Sequence, residues 1–327
     1  MNLYLYLISL PILLISNFMM FMFSSSLFMW MIMEINLISF ISLTMISTNS
    51  ELVMMYFLTQ SLNSYIFLMS AIMSKLSNLY QFDLLVLISM MSKLGMFPFH
   101  IWYIKFMKFL NWNMFFIGSS LQKFIPLMVM NMYLKLKIHL LWIFMFMLIF
   151  SLIFIPLLAM NTYSIKMILI YSSLIQLSWI ISVMIFNNKI WIIIFLIYLI
   201  CLLSLIEIFK FFNISYIYEM SKVSMFIKIY LILNILSLSG LPPFLGFLIK
   251  WMYMNLSSQF NYFYFNILIM LMSTFNFFFY MNMTMKCLIL WNYNMKMFKK
   301  KNYLFLKFKI VMIFIMSIFM LLIYEIF

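Results

Sequence analysis

The chain has no arginine; all 20 of its basic residues are lysine. An arginine-free chain lacks the bidentate guanidinium fork that reads guanine edges. Its lysines lie between apolar runs rather than along one face, so the net charge of +14 does not describe a nucleic-acid surface. Cysteine is almost missing as well. Cys201 and Cys287 are too few for an iron–sulfur cluster, which takes about four thiolates, and they fall in different apolar runs as small core residues. His100 and His139 are too few and too scattered for a metal cage. Glycine occurs four times in 327 residues, which leaves no glycine-rich phosphate loop. No nucleotide or redox cofactor is therefore expected on this chain.

Charge as a whole is scarce too. Only 8% of the residues are charged and 68% are hydrophobic, with a mean hydropathy of +1.16. A soluble domain carries about 25% charged and roughly 45–50% apolar residues, so lipid must be the solvent here. Methionine (39) and phenylalanine (40) abound, whereas alanine occurs only as Ala71 and Ala159. Membrane packing favours small residues at helix contacts, so lipid does not ask for this bias. Codon usage in an AT-rich organellar gene would supply it. The methionines then read as gap-filling core residues rather than thioether sites.

A membrane-spanning helix needs about 20 mainly apolar residues. Eleven such runs stand between polar breaks: 3–23, 26–46, 52–73, 82–104, 113–133, 138–158, 164–186, 190–212, 225–249, 262–285 and 306–325. The first lacks the basic flank and small-residue cleavage site of a signal peptide. No stretch suits a soluble domain, so the expectation is an all-α polytopic membrane protein with a single transmembrane domain over 1–327. Counting lysines at the nearest run end places thirteen on the side of the N-terminus and five opposite, with Lys93 and Lys123 inside runs. The positive-inside rule then puts the N-terminus on the matrix or cytoplasmic side.

Function has to be sought among the charges inside the runs, each of which costs at least about 2.5–3.5 kcal/mol at a helix centre. Glu34 stands mid-run in 26–46, Lys93 mid-run in 82–104, and Lys123 at the midpoint of 113–133. Opposite charges at similar depth predict a Glu34–Lys93 pair, in which ion pairing and burial pull the proton equilibria in opposite directions. A static pair that only fixes helix register is the plainer alternative, but buried ion pairs are seldom better than apolar replacements. Glu207 and Lys210, three apart near a run end, read as a structural pair. Helix breakage is the second signal: Gly240-Leu-Pro-Pro243 is expected to interrupt run 225–249, and Pro126 run 113–133. Two broken helices, each with a lysine nearby (Lys250 and Lys123), are a mark of ion pathways.

Several words of the sequence then become recognisable, in order: Met33-Glu-Ile-Asn36, Tyr56-Phe-Leu-Thr-Gln60, Lys93-Leu-Gly-Met-Phe-Pro-Phe-His-Ile-Trp102, Gln122-Lys123, Ile168-Leu-Ile-Tyr-Ser-Ser173, Leu238-Ser-Gly-Leu-Pro-Pro-Phe-Leu-Gly-Phe247 and Lys250-Trp251. Together they resemble the family of mitochondrially encoded NADH–ubiquinone oxidoreductase chain 2, in its eleven-helix animal form, with an insect-like composition. The resemblance implies an antiporter-like fold in the mitochondrial inner membrane. It implies a proton-translocating membrane-arm subunit working by a relay of intramembrane charges, here Glu34, Lys93, Lys123 and Lys250, with Lys166 as a further basic position. Electron transfer elsewhere in the complex would drive the relay. NADH, FMN, iron–sulfur clusters and ubiquinone would belong to partner subunits. The implied partners are other membrane-arm chains, including antiporter-like neighbours, and lipid.

Two departures stand out. Ile104-Lys105 occupies the place of a common Pro-Glu, and Gln176 replaces a histidine often found after the Tyr-Ser-Ser word. Glutamine does not titrate, so water would have to carry a proton past it. His100 is as well suited to helix capping as to proton transfer. Two other readings compete: a stand-alone cation/proton antiporter and a passive structural membrane subunit.

Overall fold

The computed structural model describes residues 2–45, 49–77, 80–134, 138–187, 189–222, 225–242, 244–258 and 263–289. The expected run 306–325 lies outside them. Among the described residues there are no strands; a single bridge joins Ser164 to Tyr216. The α-helices are α1 (Asn2–Met19), α2 (Ser26–Thr44), α3 (Ser50–Ser77), α4 (Tyr80–Leu94), α5 (His100–Phe109), α6 (Trp112–Ser119), α7 (Leu121–Leu134), α8 (Ile138–Met160), α9 (Ile165–Phe186), α10 (Ile190–Phe211), α11 (Met225–Ser239), α12 (Leu245–Ser258) and α13 (Phe263–Ile289), with a 3₁₀ turn at Ile217–Lys222. Among the described residues five segments are long and apolar enough to cross a membrane: Ser26–Thr44, Ser50–Ser77, Ile165–Phe186, Ile190–Phe211 and Asn266–Lys286.

Seven of the expected runs correspond to one helix each, and three are split in two. Run 82–104 divides into α4 and α5 between Leu94 and His100, a break that was not expected. Run 225–249 divides at Gly240, as expected, with α12 continuing to Ser258. Run 113–133 is also interrupted, but at a different residue. Pro126 lies inside α7, and the break falls at Ser120, whose φ of −115° and ψ of −82° leave the helical region. A proline six residues into a helix deletes one backbone bond, to the carbonyl four residues back, and α7 runs on through it.

Two of the three breaks use the same device. The Gly95 N–H reaches the Ser92 carbonyl at 3.1 Å and the Met96 N–H reaches the Met91 carbonyl at 3.0 Å. This is a Schellman closure, which needs a residue with positive φ just past the helix. Gly95 supplies it at φ +68°; Gly240 shares the positive φ, at +72°, with its N–H on the Ser237 carbonyl at 3.1 Å.

The chain forms two compact units, residues 1–151 and 152–327, with the boundary inside α8. In the first, α2 packs between α1 and α3, α4 lies against α3 and α7, and α5 rests on α3. In the second, α9 contacts α10 and α12, and α11 contacts α10, α12 and α13. Almost every residue of α9 is buried. By contrast α1, α2 and α3 carry rows of exposed apolar side chains, among them Leu7, Phe18, Ile38, Leu62 and Met69. In water such a continuous surface would be an aggregation hazard; in lipid it is the ordinary outer face of a helix.

Candidate functional site

The first unit gathers three of the expected site residues, Glu34, Lys93 and Lys123. Lys93 ends up in the last turn of α4 because the Gly95 closure stops the helix there. The carbonyls of that turn carry partial negative charge, the end of a helix that favours a cation. Its side chain is buried, with 7% exposed. The ammonium lies 3.4 Å from Met33 Sδ, and the Glu34 carboxylate acts on it electrostatically. Glu34 itself accepts a hydrogen bond from the Ser64 hydroxyl of α3. Among the described residues, then, the close polar contact of the ammonium is with the neighbour of Glu34. The carboxylate is held separately by α3, instead of in the direct ion pair that the sequence suggests.

Lys123 stands in the first turn of α7, just past the Ser120 break, and is 2% exposed. Its backbone N–H donates to the Ser120 carbonyl at 3.0 Å, and its ammonium lies over the Tyr103 ring, 4.8 Å from the centroid. A cavity with about 330 Å³ of space between atoms is lined by both lysines together with Tyr56, Gln60, Tyr103 and Gln122. A second, of about 270 Å³, is lined by Lys93, Tyr56, Gln60 and Gln122 and reaches Met33, Asn36 and Pro126. The four shared residues make the two spaces neighbours. Polar groups line them closely: Gln60 Nε2 donates to the Lys93 carbonyl at 3.1 Å, and the Tyr56 hydroxyl to Gln122 Oε1 at 3.2 Å. Gln122 Nε2 is buried without a hydrogen-bond partner among the described residues. Each space, with its polar partners, has room for about one water.

Sequence reasoning missed Tyr56 and Tyr103 as members of this constellation. Tyr56 was quoted only within a recognisable word, and Tyr103 carried no signal. It also passed over Asp83, which is 4% exposed in the first turn of α4 and acts electrostatically on Tyr133 of α7.

The second unit holds Lys250, Lys166 and Gln176. The Lys250 ammonium donates to the Ser239 carbonyl at 2.7 Å, one residue before the Gly240 turn, so it too sits at the carbonyl end of a broken helix. A methyl group on Gly240 would stand 2.7 Å from Lys250 Cε. Gln176, buried on α9, donates to the Leu238 carbonyl at 2.8 Å, while its Oε1 has no partner among the described residues. Gln176 and Lys250 therefore hold adjacent carbonyls of the same frayed helix end. Lys166, half-buried in the first turn of α9, takes no part in these two bonds. His100 Nδ1 lies 3.2 Å from the Pro98 carbonyl, at the start of α5. Glu207 and Lys210 are both exposed on α10, while Ile208 and Phe209 between them are buried. Buried Cys201 is a free thiol, with the Ser237 hydroxyl 3.7 Å from its sulfur. Among the described residues no three of His, Cys, Asp and Glu gather as metal ligands.

Residues 24–279 match the family model described as NADH:quinone oxidoreductase/Mrp antiporter, transmembrane. The chain is 33% identical over 239 residues to NADH-ubiquinone oxidoreductase chain 2 of Anopheles gambiae, covering 68% of each. Among solved structures it is similar to a chain of respiratory complex I from Thermus thermophilus, with a TM-score of 0.70 and 17% identity. That match covers 80% of this chain and 65%, slightly under two thirds, of the bacterial one. A chain of the archaeal membrane-bound sulfane sulfur reductase matches at a TM-score of 0.78 and 15% identity, covering 96% of this chain and 72% of that one. At such identities the structural matches establish the antiporter-like fold, and the sequence matches carry the family.

Proposed function

The chain belongs to the NADH:quinone oxidoreductase/Mrp antiporter membrane family, and on that footing we propose that it is a proton-translocating membrane-arm subunit of a respiratory NADH–ubiquinone oxidoreductase. The observation that carries the proposal is the polar cavity of the first unit. It is lined by two buried lysines, and one of them feels a carboxylate that a serine holds apart from it. A carboxylate and an ammonium kept close without locking together respond to a neighbour's charge by taking up or releasing a proton. Glu34, Lys93 and Lys123 form this part of the relay. Lys250, at the Gly240 break, belongs to the second half, and Lys166 at the start of α9 is a further basic step.

The chain itself handles neither NADH nor quinone; those, with FMN and the iron–sulfur clusters, belong to partner subunits, including antiporter-like neighbours. The proposal includes eleven spans in one transmembrane domain over 1–327, with the N-terminus in the matrix. Apolar helices in both units and the lysine distribution support it.

Replacing Glu34 by Gln in the assembled complex is expected to lower protons pumped per NADH oxidised several-fold while the amount of complex on a native gel stays near normal. Equal loss of both would make Glu34 structural and defeat the relay. The stand-alone antiporter reading makes a separate prediction, that the chain migrates alone on such a gel. Co-migration with NADH-oxidising activity is the expected result.

A further inference from the structure

Lys93 and Lys250 each lie at the carbonyl end of a broken helix, where the backbone favours a positive charge. Lys123 does not. It is the third residue of α7, in the first turn, the end of a helix that carries partial positive charge. Lys123 is thus placed against the field of its own helix, unlike Lys93 in the last turn of α4. The Tyr103 ring lies under its ammonium, with the negative face of its quadrupole 4.8 Å away.

Tyr103 is itself held by the break that ends the Lys93 helix. A Cβ on Gly95 would lie 2.5 Å from Tyr103 Cβ and 2.9 Å from Cγ, so the base of the ring rests directly on the glycine. The ring thus touches the turn two residues after Lys93 at one end and the ammonium of Lys123 on its face. The other groups lining the space they share are Lys93 of α4, Tyr56 and Gln60 of α3, and Gln122 of α7.

Resting on the relay reading above, we propose that Tyr103 is a positioning residue for Lys123: its ring face seats the ammonium against the unfavourable end of α7, and its packing on Gly95 ties that seat to the helix end that bears Lys93. A movement of the α4 end is then felt at Lys123 through a rigid aromatic, with no direct lysine-to-lysine contact.

The test uses the assembled complex in sealed membranes and compares Tyr103→Phe, Tyr103→Met, Tyr103→Leu and Lys123→Met. Phe keeps the ring face, whereas Met and Leu fill much of the space without it. Tyr103→Phe is expected to keep protons pumped per NADH within about twofold of the parent, because a neutral ring face is worth much the same with or without the hydroxyl. Both Met and Leu are expected to lose pumping several-fold at unchanged assembly. Retained pumping in either overturns the proposal, and so does a loss in Phe equal to that in Met, which would make the hydroxyl the working part. If both ring-less variants fail to assemble while Lys123→Met assembles, Tyr103 is a packing residue and the proposal falls. Full pumping in Lys123→Met would instead overturn the relay on which it rests, an outcome separable from the others.

Discussion

At the residue scale, four charges inside the helices have neutral groups as close contacts. Glu34 accepts from Ser64, Lys93 meets a thioether, Lys123 faces an aromatic ring and Lys250 binds a backbone carbonyl. A neutral contact orients a cation or carboxylate without cancelling its charge, which lets it respond to charges that come and go. Ser64→Ala tests this. Removing a hydrogen bond to a charged group costs about 1.5–3 kcal/mol, so the carboxylate should lose its fixed position. Pumping per NADH is expected to fall several-fold, with less than a twofold loss of complex on a native gel. Unchanged pumping would mean that the hydroxyl does not hold Glu34 in the working state. Gln176 shows what the residue scale withheld from sequence. The replacement of a histidine is visible in the sequence, but its bond to Leu238 O beside the Lys250 site is not, because the two positions are 62 residues apart.

At the scale of elements, the breaks matter more than the spans. The glycine turns end α4 and α11, placing Lys93 in the last turn of the first and leaving the Ser239 carbonyl of the second to Lys250. Gly240 is the sharpest case. Its φ of +72° disfavours any other residue, and a methyl group there would stand 2.7 Å from Lys250 Cε and 3.1 Å from the Gly246 carbonyl. Gly240→Ala is expected to cost at least about 1 kcal/mol from the backbone alone and to displace Lys250. Reduced pumping should exceed any reduction in assembled complex, measured on the same membranes; a variant that pumps normally would show that Lys250 does not need its seat. Gly246 is tighter still, since a Cβ there would fall 1.7 Å from the Ser237 carbonyl. Gly246→Ala should therefore lower assembly itself, checked by the yield of complex on the gel. These breaks were only partly legible. A glycine followed within three residues by proline marks both Gly95–Pro98 and Gly240–Pro243, yet the unbroken apolar run around Gly95 concealed the first. Pro126 misdirected attention six residues past the real break, because a proline's ring is conspicuous in sequence whereas the backbone angles of Ser120 are not.

At the scale of the whole molecule, the proposed topology makes one further prediction. A protease-sensitive tag on the N-terminus should be cut in inverted inner-membrane vesicles, where the matrix face is outside, and protected in intact mitoplasts. The reverse pattern would overturn the orientation drawn from the lysines.

Membrane residence, helical class and family were determined by the sequence alone, because composition and apolar run length are properties that any folding of the chain inherits. The positions of Glu34, Lys93 and Lys123 within their runs were likewise readable by counting. What only the tertiary structure decided is who meets whom: the separation of Glu34 from Lys93 by way of Ser64 and Met33, the ring of Tyr103 over Lys123, and the carbonyls taken by Gln176 and Lys250. The physical reason is that a charge in lipid demands some partner, but many partners are equally good energetically. The choice among them falls to helix breaks and packing directions, which depend on backbone angles at a few residues such as Gly95, Ser120 and Gly240.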